Sequence, residues 1–284
     1  MAAVLAVLAE ARADVLVLAG VDADAEGRTL AALNAALPEP YPHLFTAMPN
    51  AGRASGLDLD GNGRLGEARD AEGYGRFSGE GGMGVLSRLP LGTVEDYSPL
   101  RWRDLPGALL TPEDPGAEVR RLSSMVHWVL PVALPGGRAL RLGIFRATTP
   151  VFDGPEDLNG RRNHDELVFW LRLMEGDLPG RALPAPFVLI GGANLDPDRG
   201  EGRREAIRDL LGDPRLQDPG GGPTVDWSGT GPGAGLGPMR VDYILPGAGV
   251  PVTGAGRVWP EGGALAEVAA TASRHRLIWV DLDP

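Results

Sequence analysis

Few groups in this chain could do chemistry, and most of them sit beside glycine. Four histidines are present and cysteine is absent. Thiolate nucleophiles, thiolate metal sites and disulfides are thereby excluded. In "FVLIGGANLDP" (187–197) an apolar run ends in turn residues that place an amide, Asn194, two positions after Gly192. "SRHRL" offers Ser273, Arg274 and His275, and "FRATTP" offers Arg146. An imidazole becomes a controlled general base when a carboxylate holds its second nitrogen. Guanidinium groups instead bind oxyanions. The remaining cluster is "DLDGNGRLGEARD" (58–70), where Asp58, Asp60, Asn62 and Gly63 match the opening of a calcium loop. The twelfth position of that loop is Arg69, and Asp70 comes one place late, so either a Ca²⁺ site or Asx-turns in a solvent loop accounts for it.

The elements that must carry these groups follow from periodicity. Buried strands are predicted at 14–20, 84–90, 125–134, 139–147, 187–192, 241–246 and 276–282, and helices at 2–12, 25–36, 163–175 and 202–212. "NHDE" reads as a capping box, with Asn163 as cap and Glu166 reaching back, which gives His164 a structural place. His127, beside Trp128 on a strand, reads as packing, and His43 as a loop residue. Residues 50–82 and 219–238 are long glycine-rich loops. No break in composition divides the chain, so 1–284 reads as one domain.

Composition narrows the class. The net charge of −11 argues against nucleic acid as a partner, since backbone recognition relies on surplus Lys and Arg. The 42 Gly and 26 Pro in 284 residues exceed the roughly 12% combined share of ordinary proteins, which fits a loop-rich fold. The N-terminal "MAAVLAVLAEARADVLVLAG" lacks a basic opening and is interrupted by Glu10, Arg12 and Asp14, so it is not read as an export signal. No run reaches the ~18 apolar residues of a membrane span. The chain reads as soluble. Its compartment stays open: cytoplasmic as it stands, periplasmic or secreted if an export signal has been removed.

Several segments in order, "ADVLVLAGVDAD", "GMGVLSRLPL", "RLSSMVHW", "PVFDGPEDLNGRRNHDE", "IGGANLDP", "RVDYILP" and "SRHRLIWVDL", resemble the endonuclease/exonuclease/phosphatase superfamily of metal-dependent phosphoesterases. The resemblance implies a four-layer α/β/β/α sandwich of two packed, mostly antiparallel sheets. It also implies Mg²⁺ or Mn²⁺ held by carboxylates, a histidine with a carboxylate partner and an asparagine that positions phosphate.

Against that pattern Gly20 stands for a metal-binding glutamate, Arg146 for a histidine, Gly192 for an aspartate and Arg274 for another, while Asn194, Ser273 and His275 are kept. The family's first strand has no counterpart, and the chain begins at the helix that would follow it. Three acids lost and two arginines gained shift the cleft by about five formal charges, which works against a dication. The expectation is therefore a catalytically degenerate member that needs no cofactor and acts as a binding or assembly module for a protein partner or a phosphate-containing ligand. Arg146, Arg274 and Asn194 would form its anion pocket. With Arg274 in the acid's place, His275 reads as a relic. Two alternatives stay open: arginines that merely pair with Asp22, Asp196 or Asp242, and an active phosphoesterase rearranged around Asp22, Asp24, Asp196 and Asp242.

Overall fold

The computed structural model describes residues 1–178, 182–229 and 234–284. The chain runs α1 (Ala2–Ala11), β1 (Val15–Ala19), α2 (Arg28–Ala35), β2 (His43–Thr46), β3 (Met83–Ser87), β4 (Glu95–Asp96), β5 (His127–Ala133), β6 (Ala139–Arg146) and α3 (Leu158–Glu175). It continues with β7 (Phe187–Gly192), α4 (Glu205–Gly212), β8 (Val225–Asp226), β9 (Pro238–Met239), β10 (Asp242–Pro246), β11 (Val252–Val258), α5 (Ala264–Ala272) and β12 (Leu277–Leu282).

Successive side chains of a strand point to opposite faces, so the apolar runs of the central strands supply two cores at once. In the sheet β10-β7-β6-β5-β4, Val129, Phe145, Leu189 and Tyr243 pack under Phe169 and Trp170 of α3 and Ile207 of α4. Their neighbours Trp128, Ile144, Val188 and Ile244 point the other way, against Met83 and Val85 of β3 and the half-buried Val17, Ile278 and Val280. A third core joins Leu16 and Leu86 to Leu8 of α1 and Leu30 of α2. Helix, sheet, sheet, helix is the expected four-layer sandwich. All pairings in its two main sheets are antiparallel except β6 with β7.

The second layer is divided. β1, β3 and β2 form one small sheet in the order β1-β3-β2, and β11 with β12 forms another. β3, with a neighbour on each side, is buried at all five residues, whereas the equally apolar β1 buries only Leu16.

Three expectations change. His43 lies on β2, paired with Ser87, rather than in a loop. β11 and α5 occupy a stretch that carries no clear periodicity, being rich in Gly and Ala. Helix α3 starts at Leu158, so Asn163 and Glu166 are interior helical residues and do not form a capping box. Both are fully buried, and their side chains are drawn into tertiary hydrogen bonds instead.

Candidate functional site at the strand tips

Strand register builds the cleft. Arg146 ends β6 beside Gly192 of β7, and Gly192 lies opposite Asp242 at the start of β10. Residues directly across a sheet share a face. A Cβ placed on Gly192 would lie 3.3 Å from Asp242 Oδ1 and 3.6 Å from Arg146 Cγ, so the two side chains flank an open position. Gly191 has a different reason: a Cβ there would sit 2.0 Å from the Phe145 carbonyl oxygen, so only glycine permits the close pairing with β6.

The chain then turns. Ala193 and Asn194 both donate their amides to Val241 O, at 2.8 and 3.3 Å, and Asn194 takes φ +53°, a left-handed conformation that asparagine tolerates. Its Nδ2 donates to Ala147 O at 2.7 Å, tying the tips of β6 and β7 together. Among the described residues its second N–H and its amide oxygen have no hydrogen-bond partner.

His275 has a carboxylate partner after all. Its Nδ1 lies 2.7 Å from Asp242 Oδ2, which also accepts from Thr224 Oγ1 at 2.9 Å. The buried Thr224 hydroxyl in turn accepts from the amides of Val241 and Asp242, each at 3.0 Å. In the neutral ring, donation from Nδ1 leaves Nε2 as the basic nitrogen. The partner comes from 33 residues upstream, not from position 274. A β-bridge from Val225 and the Arg276 amide, which donates to Thr224 O at 2.7 Å, bring His275 into place. Trp227 meets its ring edge-on at 5.6 Å.

Arg274 is exposed and lies over the Trp227 ring at 5.6 Å. Arg146 has no hydrogen bond or ion pair from its guanidinium among the described residues. The acids that could neutralise it are engaged elsewhere. Asp22 accepts from Gly81 N, and Asp196 accepts from the amides of Asp198, Arg199 and Arg240. Asp24 caps α2 through the amides of Glu26, Arg28 and Thr29, which hold its carboxyl down at about 2.

These donors do not suit the dication that the resemblance implies. Among the described residues, the only three acidic groups whose ligand atoms converge within 4.8 Å are Asp58, Asp60 and Asp70, all in the glycine-rich loop. Asp242 already holds His275 and Thr224, and glycine or arginine fills the other expected positions. In the loop, Asp70 takes the closing place that Arg69 cannot, and Asn62 donates Nδ2 to Asp60 and Glu67 at 3.0 and 2.6 Å. Asp58 accepts from the amides of Asn62 and Gly63. The Asx-turn geometry is thus present, and the three carboxylates remain a candidate cation cluster.

Behind the cleft, α3 contributes a polar core. Arg162 donates to the carbonyls of Leu122, Glu72, Arg121 and Ser123. Asn163 donates to Thr148 O and Ala193 O, at 2.6 and 2.8 Å. Glu166 accepts from Ser124 N, Ser124 Oγ and Thr148 N. Burial pushes the Glu166 carboxyl up to about 7, against the pull of Arg162 and these donors. His127 donates to Glu166 O from Nε2 at 2.9 Å, and burial among Phe145, Phe169 and Trp170 drives it down to about 4. His164 pairs with Asp165, which also receives Trp102 Nε1.

The layers form a four-layer α/β sandwich with a cleft at its strand tips. The sequence matches the model of the Endonuclease/Exonuclease/phosphatase family over residues 1–275, and the chain belongs to that family. Among solved structures it is similar to an endonuclease/exonuclease/phosphatase from Beutenbergia cavernae, with TM-score 0.60, 20% identity, 98% of this chain covered and 64% of that one. It is also similar to the human Nocturnin catalytic domain with bound sulfate (TM-score 0.54, 12% identity, 99% and 85% covered). A third is a Bacteroides thetaiotaomicron mannosyl-6-phosphatase (TM-score 0.53, 12% identity, 99% and 91% covered). This chain therefore spans 64% of the length of the Beutenbergia protein. No curated protein matches it. Among the described residues no helix is long and apolar enough to cross a membrane.

Proposed function

We propose that the strand-tip cleft binds a phosphate or related oxyanion without a resident dication, and that the protein works as a binding module. The observation that carries this is Arg146, a guanidinium at the edge of the cleft with no acid or hydrogen-bond partner among the described residues. Beside it Gly192 leaves space, Asn194 supplies a further donor, and His275 supplies one through Nε2 when its ring is protonated. Addition of inorganic phosphate is expected to raise the thermal midpoint in metal-free buffer, and Arg146→Ala is expected to abolish the rise. A rise that survives Arg146→Ala, or none in the native protein, overturns the reading.

The His275–Asp242 contact favours a second reading, an active phosphoesterase with a rearranged site. There the imidazole would accept a proton from attacking water, with Asp242 holding its Nδ1 proton and stabilising the imidazolium. A screen of phosphomonoesters and phosphodiesters with Mg²⁺, Mn²⁺, Ca²⁺ or EDTA separates the two. Turnover that disappears in His275→Ala establishes catalysis, and its absence under every condition leaves binding alone.

A further inference from the structure

A cavity of about 250 Å³ opens next to the His275–Asp242 pair, between β10, the β11–β12 pair and the loop at 219–224. Thr224 and Asp242, the two residues that hold His275, form its near end, and Ile244, Ile278 and Val280 line it further along. It lies below the ~300–1,000 Å³ of pockets that enclose a whole drug-sized ligand, so it has room for one end of a ligand rather than all of it.

The charge on its walls has a sign. Arg240 lines it but is neutralised by a two-pronged pairing with Asp218, at 2.8 Å through Nη1. Arg257, from β11, has no carboxylate in ion-pair reach among the described residues. It reaches across to the Gly221 carbonyl at 2.7 Å, over the Trp259 ring. In "PGGGP" the amides of Gly220 and Gly221 donate to no protein acceptor among the described residues, and both glycines line the cavity. The facing acid, Asp242, is occupied by His275 and Thr224 through Oδ2. A guanidinium that holds only a carbonyl and no acid, with unspent backbone amides beside it, is an anion-binding arrangement.

We propose that this cavity is a second subsite of the strand-tip cleft and takes the second anionic group of a compact bis-anionic ligand, of which a small bisphosphate is the type. The inference rests on the reading of the cleft as a phosphate site. One phosphoryl group sits at Arg146 and Asn194, and the other reaches past Asp242 to Arg257 and the glycine loop. Charge neutralisation at two points joined by a short linker multiplies affinity only when the linker length fits.

The test uses the full chain and measures calorimetric affinity for methyl phosphate and for α,ω-alkanediol bisphosphates of graded length. One length is expected to bind about tenfold or more tighter than methyl phosphate. Arg257→Ala is expected to remove that gain and leave methyl phosphate binding unchanged. Gly221→Val, which adds a branched side chain to a cavity-lining glycine with room for a Cβ, is expected to narrow the cavity and do the same. Arg146→Ala should weaken both ligands. Bisphosphates that bind no tighter than methyl phosphate, or a gain that persists in both cavity variants, overturn the proposal. A gain lost in Arg257→Ala but indifferent to Arg146→Ala keeps an anion site in the cavity and sinks the reading of the cleft. If neither ligand binds, both fail.

Discussion

Two polar regions lie back to back in this fold and are built on opposite terms. In the α3 core, Arg162, Asn163 and Glu166 are fully buried, and their charged groups are ringed by carbonyls and amides. At the strand tips, a few residues away through Thr148 and Ala193, Arg146 has no partner among the described residues and Gly192 leaves a gap. Buried polar groups that are satisfied fix a structure, while a charged group left without a partner in a cleft is poised for a ligand. Substitutions in the first region should therefore cost stability, and those in the second should change binding.

The largest effect is expected at Glu166. Glu166→Ala leaves the buried Ser124 and Thr148 donors without their acceptor and should cost about 3–5 kcal/mol by denaturant titration, with no change in ligand preference in the folded fraction. Next is His127, whose neutral form is favoured by burial. Its folded value of about 4 lies below the ordinary 6.5, so its contribution is complete above pH 6.5 and is lost as pH falls toward 4. Linkage puts that loss at about 3 kcal/mol. Glu166 works in the opposite sense, losing stability as pH rises from 4.5 to about 7. The measurement is therefore the difference between native protein and His127→Phe across that range, and the variant should lack the acid-side fall.

At the cleft the comparison sharpens. Gly192→Asp puts a Cβ 3.3 Å from Asp242 Oδ1, so that side chain must yield by a few tenths of an ångström and the new acid sits beside another, and the change should cost about 1 kcal/mol. It should nevertheless abolish the phosphate-induced rise by giving Arg146 a partner. A Gly192→Asp protein that still binds phosphate would break the contrast between the two regions. The smallest effect is expected in the acidic loop. Ca²⁺ at millimolar concentration should raise the midpoint by a degree or two if Asp58, Asp60 and Asp70 bind it, and Asp60→Asn should remove that shift.

The sequence made the layers legible because they rest on apolar runs. "FVLIGG" is a strand over the predicted residues 187–192, and both sheets follow from runs like it. β11, "VTGAGRV", and α5, "ALAEVAATA", escaped because glycine and alanine carry neither alternation nor a helical stripe. The capping-box pattern at 163–166 misled because that spacing also places two side chains on adjacent turns within a helix, and here both were recruited by loops far away in sequence. At the cleft, Asn194, Arg146 and His275 were legible as candidates. The partner of His275 was not, because a contact made across 33 residues leaves no mark on local spacing. The available signal was Asp242 itself, an acid at the mouth of an otherwise apolar strand, "VDYILP".

The division of the second layer bears on how the protein must be handled. On β1 the row of amides and carbonyls facing away from β3 meets no strand among the described residues, and "VLVLA" carries neither the lysine nor the proline that usually discourages such rims from recruiting other molecules. Concentrated or slowly refolding samples should clump through this seam, and a single lysine at Ala19, the exposed residue of the strand, should slow the clumping more than any change at the cleft.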